Sequence, residues 1–218
     1  MSDKKIFLFN IFYEVIFFKY LSMNYNNPFI FLSGKKDVFD DKEIILWTLL
    51  YLPVWVCAYY VFCQKNEISK YTIHRYKTRT KWWIVTEYIL ILSLTISYGT
   101  LYILLFLYYR VQFIYEVCIL VFVHGIFILQ IGVLIKIVTN KIIISIFGVI
   151  ISEVMAAKTV SWNITIVKFF VPCWGMYNYS KNVVGDEGFS FIKGIIIQVC
   201  FIVVAYLLGI IINRGDKQ

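Results

Sequence analysis

Between Ile195 and Ile212 the chain reads IIIQVCFIVVAYLLGIII, an uncharged run close to the roughly 20 residues that a helix needs to cross the hydrocarbon of a bilayer. A second run, IILWTLLYLPVWVCAYYVFC from Ile44 to Cys63, is about 30 Å long at 1.5 Å per helical residue. In hydrocarbon no water is present to satisfy backbone N–H and C=O groups, so stretches of this kind are restricted to helices or closed barrels. Composition agrees: 61% of residues are apolar or aromatic, 16% are charged and the mean hydropathy is +0.76, outside the range of soluble domains. The expected fold is all-α, a polytopic transmembrane helical bundle in a single domain, 1–218. At about 20 residues per span, 218 residues leave room for about six spans and no separate soluble domain.

The spans are expected near 6–22, 44–63, 84–109, 114–138, 142–157 and 195–212. The first, IFLFNIFYEVIFFKYL after Lys4 and Lys5, resembles a signal peptide superficially, but no small-residue cleavage site follows it. Glu14 and Lys19 weaken it as a span, and an interfacial helix is the competing reading. Pro53 should bend the second span, which a bundle tolerates when neighbouring helices satisfy the carbonyl freed by the missing N–H. Residues 164–178 are too short and irregular to cross comfortably, carrying Lys168, Pro172 and Gly175. They read as an outer re-entrant or interfacial element, with Phe169, Phe170, Trp174 and Tyr177 suited to the headgroup layer.

Charge sets the orientation. The segment 65–81 carries Lys65, Lys70, Arg75, Lys77, Arg79 and Lys81 against Glu67 alone, whereas 24–43 is mixed, with Asp37, Asp40, Asp41 and Glu43 among its lysines. The positive-inside bias then puts 65–83 and both termini on the cytosolic side. The same bias accounts for the net charge of +8, so no nucleic-acid partner is expected. Five cysteines without CxxC spacing read as small core hydrophobes, and no metal site is expected.

The basic stretch KYTIHRYKTRTKWWIVTE, Lys70 to Glu87, is the longest polar interruption between two apolar runs. Laid on a helix, Lys70, His74, Lys77 and Lys81 fall along one face, and Ile73, Tyr76, Thr80, Trp83 and Ile84 along another. Such a helix lies on a membrane surface or offers its charged side to a cytosolic partner. The plainer reading is that the charges anchor the topology and that Trp82 and Trp83 belong to an aromatic belt. Glu87, one turn after Trp83, reads as a snorkelling charge or as a link carrying loop motion into the third span.

Deeper polar residues are Glu14, His124, Gln130 and Glu153. Ionisable groups at membrane depth are functional candidates by default, here for a cationic substrate group or a proton relay. His124, next to Gly125, fits equally well as a hydrogen-bonded residue at a close helix contact. No HExxH, paired carboxylates or Ser/Cys arrangement specifies an intramembrane protease, and no P-loop is present, so the chain is not expected to be an enzyme.

The segment Ile73 to Trp83, IxRYKTRTKWW with His74 at x, resembles the coupling region of small permease subunits of type-2 ABC transporters, nearest in character to those of bacteriocin and lantibiotic self-immunity. FFVPCWGMY, Phe169 to Tyr177, resembles the re-entrant element before the last span in that class. The ending IIINRGDKQ, with Arg214 and Asp216, resembles its short charged tail. The resemblance implies a mechanical role in exporting an amphipathic peptide or toxin, with ATP and Mg held by a separate cytosolic ATPase and no cofactor on this chain. It implies a second permease chain, identical or different, alongside the lipid membrane. His74, Arg75, Tyr76, Lys77, Arg79, Trp82, Trp83 and Glu87 would be the partner-binding set, with arginine suited to two-bond contacts with carboxylates. A proton-driven secondary transporter using Glu14 and Glu153, or a non-transporting immunity or scaffold protein, are the alternatives.

Overall fold

The structure, a computed structural model, describes residues 3–25, 41–71, 76, 78–109, 115–162 and 191–215. Among them every element is a helix: α1 (Asp3–Asn24), α2 (Asp41–Tyr71), α3 (Arg79–Tyr109), α4 (Tyr115–Thr139), α5 (Ile142–Trp162) and α6 (Phe191–Gly215). Four are long and apolar enough to cross a membrane, through the stretches Asp41–Tyr60, Thr80–Leu104, Glu116–Thr139 and Ile192–Ile212. In α5 the apolar stretch is shorter, Ile142–Met155. Among the described residues α1 is not one of the four. The re-entrant element expected over 164–178, with Phe169, Phe170, Pro172, Trp174 and Tyr177, lies outside the described residues, as do His74, Arg75 and Lys77.

α2 and α3 differ from expectation in extent. Each is 31 residues long, about 46 Å at 1.5 Å per residue. That exceeds a hydrocarbon core of about 30 Å, so the polar QKNEISKY end of α2 continues as helix past its apolar part. Of the loop expected over 65–83, residues 65–71 belong to α2 and 79–83 to α3. A single amphipathic helix through 70–87 is not formed, because the chain bends at Tyr76 and Thr78. Thr78 is the reason: its hydroxyl accepts a bond from the Lys81 N–H at 3.2 Å and its carbonyl accepts the Trp82 N–H, also at 3.2 Å, which makes it the cap that starts α3.

α4 is the hub, packing against α2, α3, α5 and α6, while α1 covers α2 and α3 from outside. Cross-helix pairs set the directions. Tyr98 and Gln130 side chains meet Trp55 and Glu87, and Tyr102 bonds the Cys118 carbonyl, so α3 runs antiparallel to both α2 and α4. His124 meets Glu153 on α5 and Gln198 on α6, and Phe127 meets Phe201, so α6 runs parallel to α4. The link from α4 to α5 is tight: Asn140 takes a left-handed conformation at φ 54°, and its N–H closes on the Lys136 carbonyl at 2.8 Å. Asparagine is among the few non-glycine residues that adopt this conformation readily.

Apolar side chains face outward on every helix, Phe12 on α1, Phe106 on α3, Phe147 on α5 and Ile211 on α6 among them, while Asn10, Glu14, Glu87, His124, Gln130, Glu153 and Gln198 are buried. This inverts the pattern of a soluble bundle. An aromatic column forms the middle of the core, Tyr51 stacked on Trp55 at 5.6 Å and Tyr98 on Tyr102 at 6.0 Å, with Tyr51 and Tyr98 rings 6.3 Å apart across the α2–α3 contact. Gly125 lets α4 approach that column: a Cβ at this position would come within 2.7 Å of the Tyr98 ring.

α1 is fastened to α2 at a defect. Pro53 stands inside α2 and has no N–H to give the Leu49 carbonyl four residues earlier. The Tyr13 hydroxyl on α1 donates to that carbonyl at 2.9 Å. Tyr13→Phe should therefore lower stability by about 1–3 kcal/mol, the cost of a polar group left without a partner. Pro53→Ala restores an N–H within α2 and should remove most of that loss in the double variant. Thermal midpoints of the purified variants in detergent test this, and equal losses with and without Pro53 would refute the pairing.

Candidate functional site

Polar side chains form a seam through the bundle, and α4 runs along it. Nearest the Arg79 end of α3 lies a first group. Glu87, 3% exposed, accepts a hydrogen bond from the Gln130 carboxamide nitrogen. One turn earlier on α3, Trp82 and Trp83 are buried, and Trp83 sits against α6 at Gly209, where an added Cβ would overlap its ring. Neither tryptophan faces outward as a belt residue would. Glu87 does not snorkel either, since its partner is a carboxamide inside the bundle. Tyr76 packs against this core.

At a neighbouring level Ser145 of α5, Tyr59 of α2 and the Gly132 carbonyl of α4 meet, the Tyr59 hydroxyl donating to the carbonyl at 3.1 Å and the one Ser145 hydroxyl hydrogen within reach of both the carbonyl and the Tyr59 oxygen. Serine at 145 and glycine at 132 allow α4 and α5 to close on each other here.

Six positions before Gln130, about 9 Å along α4, His124 connects three helices. Its Nδ1 lies 3.1 Å from Gln198 Oε1 and its Nε2 lies 3.2 Å from Glu153 Oε1. With the Gln198 carboxamide in this orientation its oxygen only accepts, so Nδ1 carries a hydrogen. The contact to Glu153 then needs one further hydrogen, held by the ring as imidazolium or by Glu153 as a carboxyl that donates to the ring. Either way the unit is electrically neutral, and in a bare apolar interior that is the arrangement with the smallest desolvation cost. Gly125, next to His124 in α4, lies against the Tyr98 ring, which brings this unit close to the aromatic column.

The third group belongs to α1. Glu14, fully buried, accepts a hydrogen bond from the Asn10 carboxamide nitrogen at 2.7 Å, one helical turn away. α1 packs against α2 and α3, the helices that carry the aromatic column. On the outer side of α1, Phe9, Phe12, Ile16 and Tyr20 line an apolar groove with Leu46 and Leu49 of α2.

Of the residues expected to matter, Glu14, His124, Gln130, Glu153 and Glu87 all lie in this seam, though not in one cavity. Glu87 and Gln130, expected to serve different roles, are partners. Two residues were not expected. Gln198 had a signal, as the one strongly polar side chain in the apolar run 195–212. Asn10 had another, its position four residues before Glu14 on a helix. The Arg79 side chain lies outside what is described. Among the described residues no three His, Cys, Asp or Glu side chains converge as a metal site. Comparison with known proteins gives no match, whether to a family model, a curated sequence or a solved structure.

Both partner oxygens of His124 lose their contact when the ring is removed. A double-mutant cycle with His124→Ala and Glu153→Ala should return a coupling of about 1 kcal/mol or more, read from unfolding in detergent. Additive losses would show that the pair does not act as a unit.

Proposed function

We propose that the chain is the membrane-spanning subunit of an ATP-driven exporter, working with a separate cytosolic ATPase and a second permease chain. Its cargo would be an amphipathic peptide or another toxin that partitions into the membrane. In this reading all six helices cross a bacterial plasma membrane and both termini are cytosolic. The apolar outer surface of α1 and its buried Asn10 and Glu14 support counting it as a span, since a helix lying on a surface would turn those two residues to water.

The observation that carries the reading is the seat of Trp82 and Trp83. They stand at the start of α3, directly after the basic segment 70–79, and are locked into the bundle, Trp83 against α6 and Glu87 against α4. A displacement of that segment cannot be absorbed locally, because tight cores respond to a push by shifting packed neighbours. It would reach α4 and α6 together. Arg75, Lys77 and Arg79 would supply the contact with acidic groups of the ATPase.

Charge reversal at Arg75 and Arg79 should abolish ATP-dependent transport and retention of the ATPase during purification, with the amount of membrane-inserted protein unchanged. Full transport by this double variant would sink the coupling role.

A second reading has its own observation, the His124–Glu153–Gln198 unit. A neutral buried imidazole and carboxyl pair holding a single mobile hydrogen is suited to proton-coupled transport. Export that persists without ATP hydrolysis and stops when the proton gradient is collapsed, with the same loss in Glu153→Gln, would select this reading over the first.

A further inference from the structure

Glu87 with Gln130, and Glu14 with Asn10, share one pattern of satisfied and unsatisfied atoms. In each pair the carboxamide nitrogen donates to one carboxyl oxygen, Gln130 Nε2 to Glu87 Oε2 and Asn10 Nδ2 to Glu14 Oε1. In each pair the remaining two oxygens, one from the carboxyl and one from the carboxamide, are buried and without a partner: Glu87 Oε1 with Gln130 Oε1, and Glu14 Oε2 with Asn10 Oδ1. All four residues lie in the interior, and each side chain is at most 3% exposed.

If both carboxyls were ionised, each pair would hold two buried acceptor oxygens with no hydrogen to satisfy either, and a net negative charge away from water. Both are costly: an unpartnered buried acceptor by about 1–3 kcal/mol, and a buried unpaired charge by more. Neither glutamate has an ion pair among the described residues, and besides burial the groups that act on them are the partner amides, Gln130 for Glu87 and Asn10 for Glu14. The facing helices thus bring no cation to either site. One hydrogen on each carboxyl removes both costs at once. The carboxyl O–H then donates to the carboxamide oxygen while the carboxamide N–H donates to the carboxyl oxygen, closing a two-bond ring in which every atom has its partner.

We propose that Glu14 and Glu87 are proton-binding sites, each held as a neutral carboxylic acid in a two-bond pair with a carboxamide, Asn10 and Gln130 respectively. The proposal stands independently of what drives transport. It gives the chain two sites for a proton besides the His124–Glu153 unit, one on α1 and one at the Trp83 end of the seam. It also explains why each acid is matched with an amide and not with a base: the edge of a carboxamide that carries both its oxygen and one N–H offers one donor and one acceptor, which a carboxyl complements and a carboxylate does not.

Infrared spectroscopy of the full chain in lipid nanodiscs at neutral pH tests it. The wild-type protein should show a protonated-carboxyl carbonyl band that shifts in heavy water and again when the glutamates carry a ¹³C carboxyl label. E14Q and E87Q should each remove part of that band, and the double variant should remove more than either alone. Both variants are expected to melt like the wild type, because a second carboxamide can replace the acid in the same two-bond ring. Absence of the band from the wild type, or a band left intact in the double variant, would overturn the proposal. Should either variant fail to accumulate, the label decides by itself: a band unmoved by the ¹³C glutamate carboxyl refutes it.

Discussion

A polar group inside this bundle has no water to turn to, and that condition orders most of what the helices do. Small hydroxyls solve it locally. Thr48, Thr86, Ser93, Thr95, Thr100 and Thr139 each return a hydrogen bond to the carbonyl four residues earlier on their own helix. Such groups need no neighbour and can face any direction. Among the described residues several of the larger buried polar side chains find partners across helices: Trp55 to Tyr98, Tyr102 to the Cys118 carbonyl, Gln130 to Glu87, His124 to two helices at once. Asn10 with Glu14 is instead made within α1. The interhelical bonds therefore act as register marks. Apolar packing between helices in lipid is tolerant of sliding, whereas a misplaced Gln130 leaves two helices with a buried group unpaired.

How far the sequence discloses this differs by level. The apolar runs of α2, α3, α4 and α6 stand out because nothing polar competes with them over a full crossing, and the structure makes them helices. Their ends are less visible. The helical continuation of α2 through QKNEISKY has no apolar period, and the cap at Thr78 is a single threonine among several. Glu14, His124 and Glu153 attract notice as ionisable groups in apolar surroundings. Their partners do not, since asparagine and glutamine carry no charge and a pair such as His124 with Gln198 is separated by 74 positions. Asn10 and Gln198 gain meaning only when packing places them.

The seam also ties together elements that lie far apart in the chain. α4 contributes Gln130, Gly132, His124 and Gly125 in turn, to α3, to α2 and α5, to α5 and α6, and to the Tyr98 ring. A rotation of α4 about its own axis would break these contacts jointly. The Trp83 seat at one end and the His124 unit further along are thus connected through one rigid helix, and hydrogen exchange or distance measurements on α4 would read events at either.

The contact between Tyr13 and the Leu49 carbonyl bears on how the protein is made. α1 leaves the ribosome before α2, carrying a carboxyl and a carboxamide on the face that the finished bundle conceals, and by itself it has little to gain from hydrocarbon. α2 arrives with a gap in its backbone bonding at Pro53, a poor passenger for the same reason. Each holds what the other lacks, so neither helix is complete until the other stands beside it, and the proline acts as an address for the earlier helix.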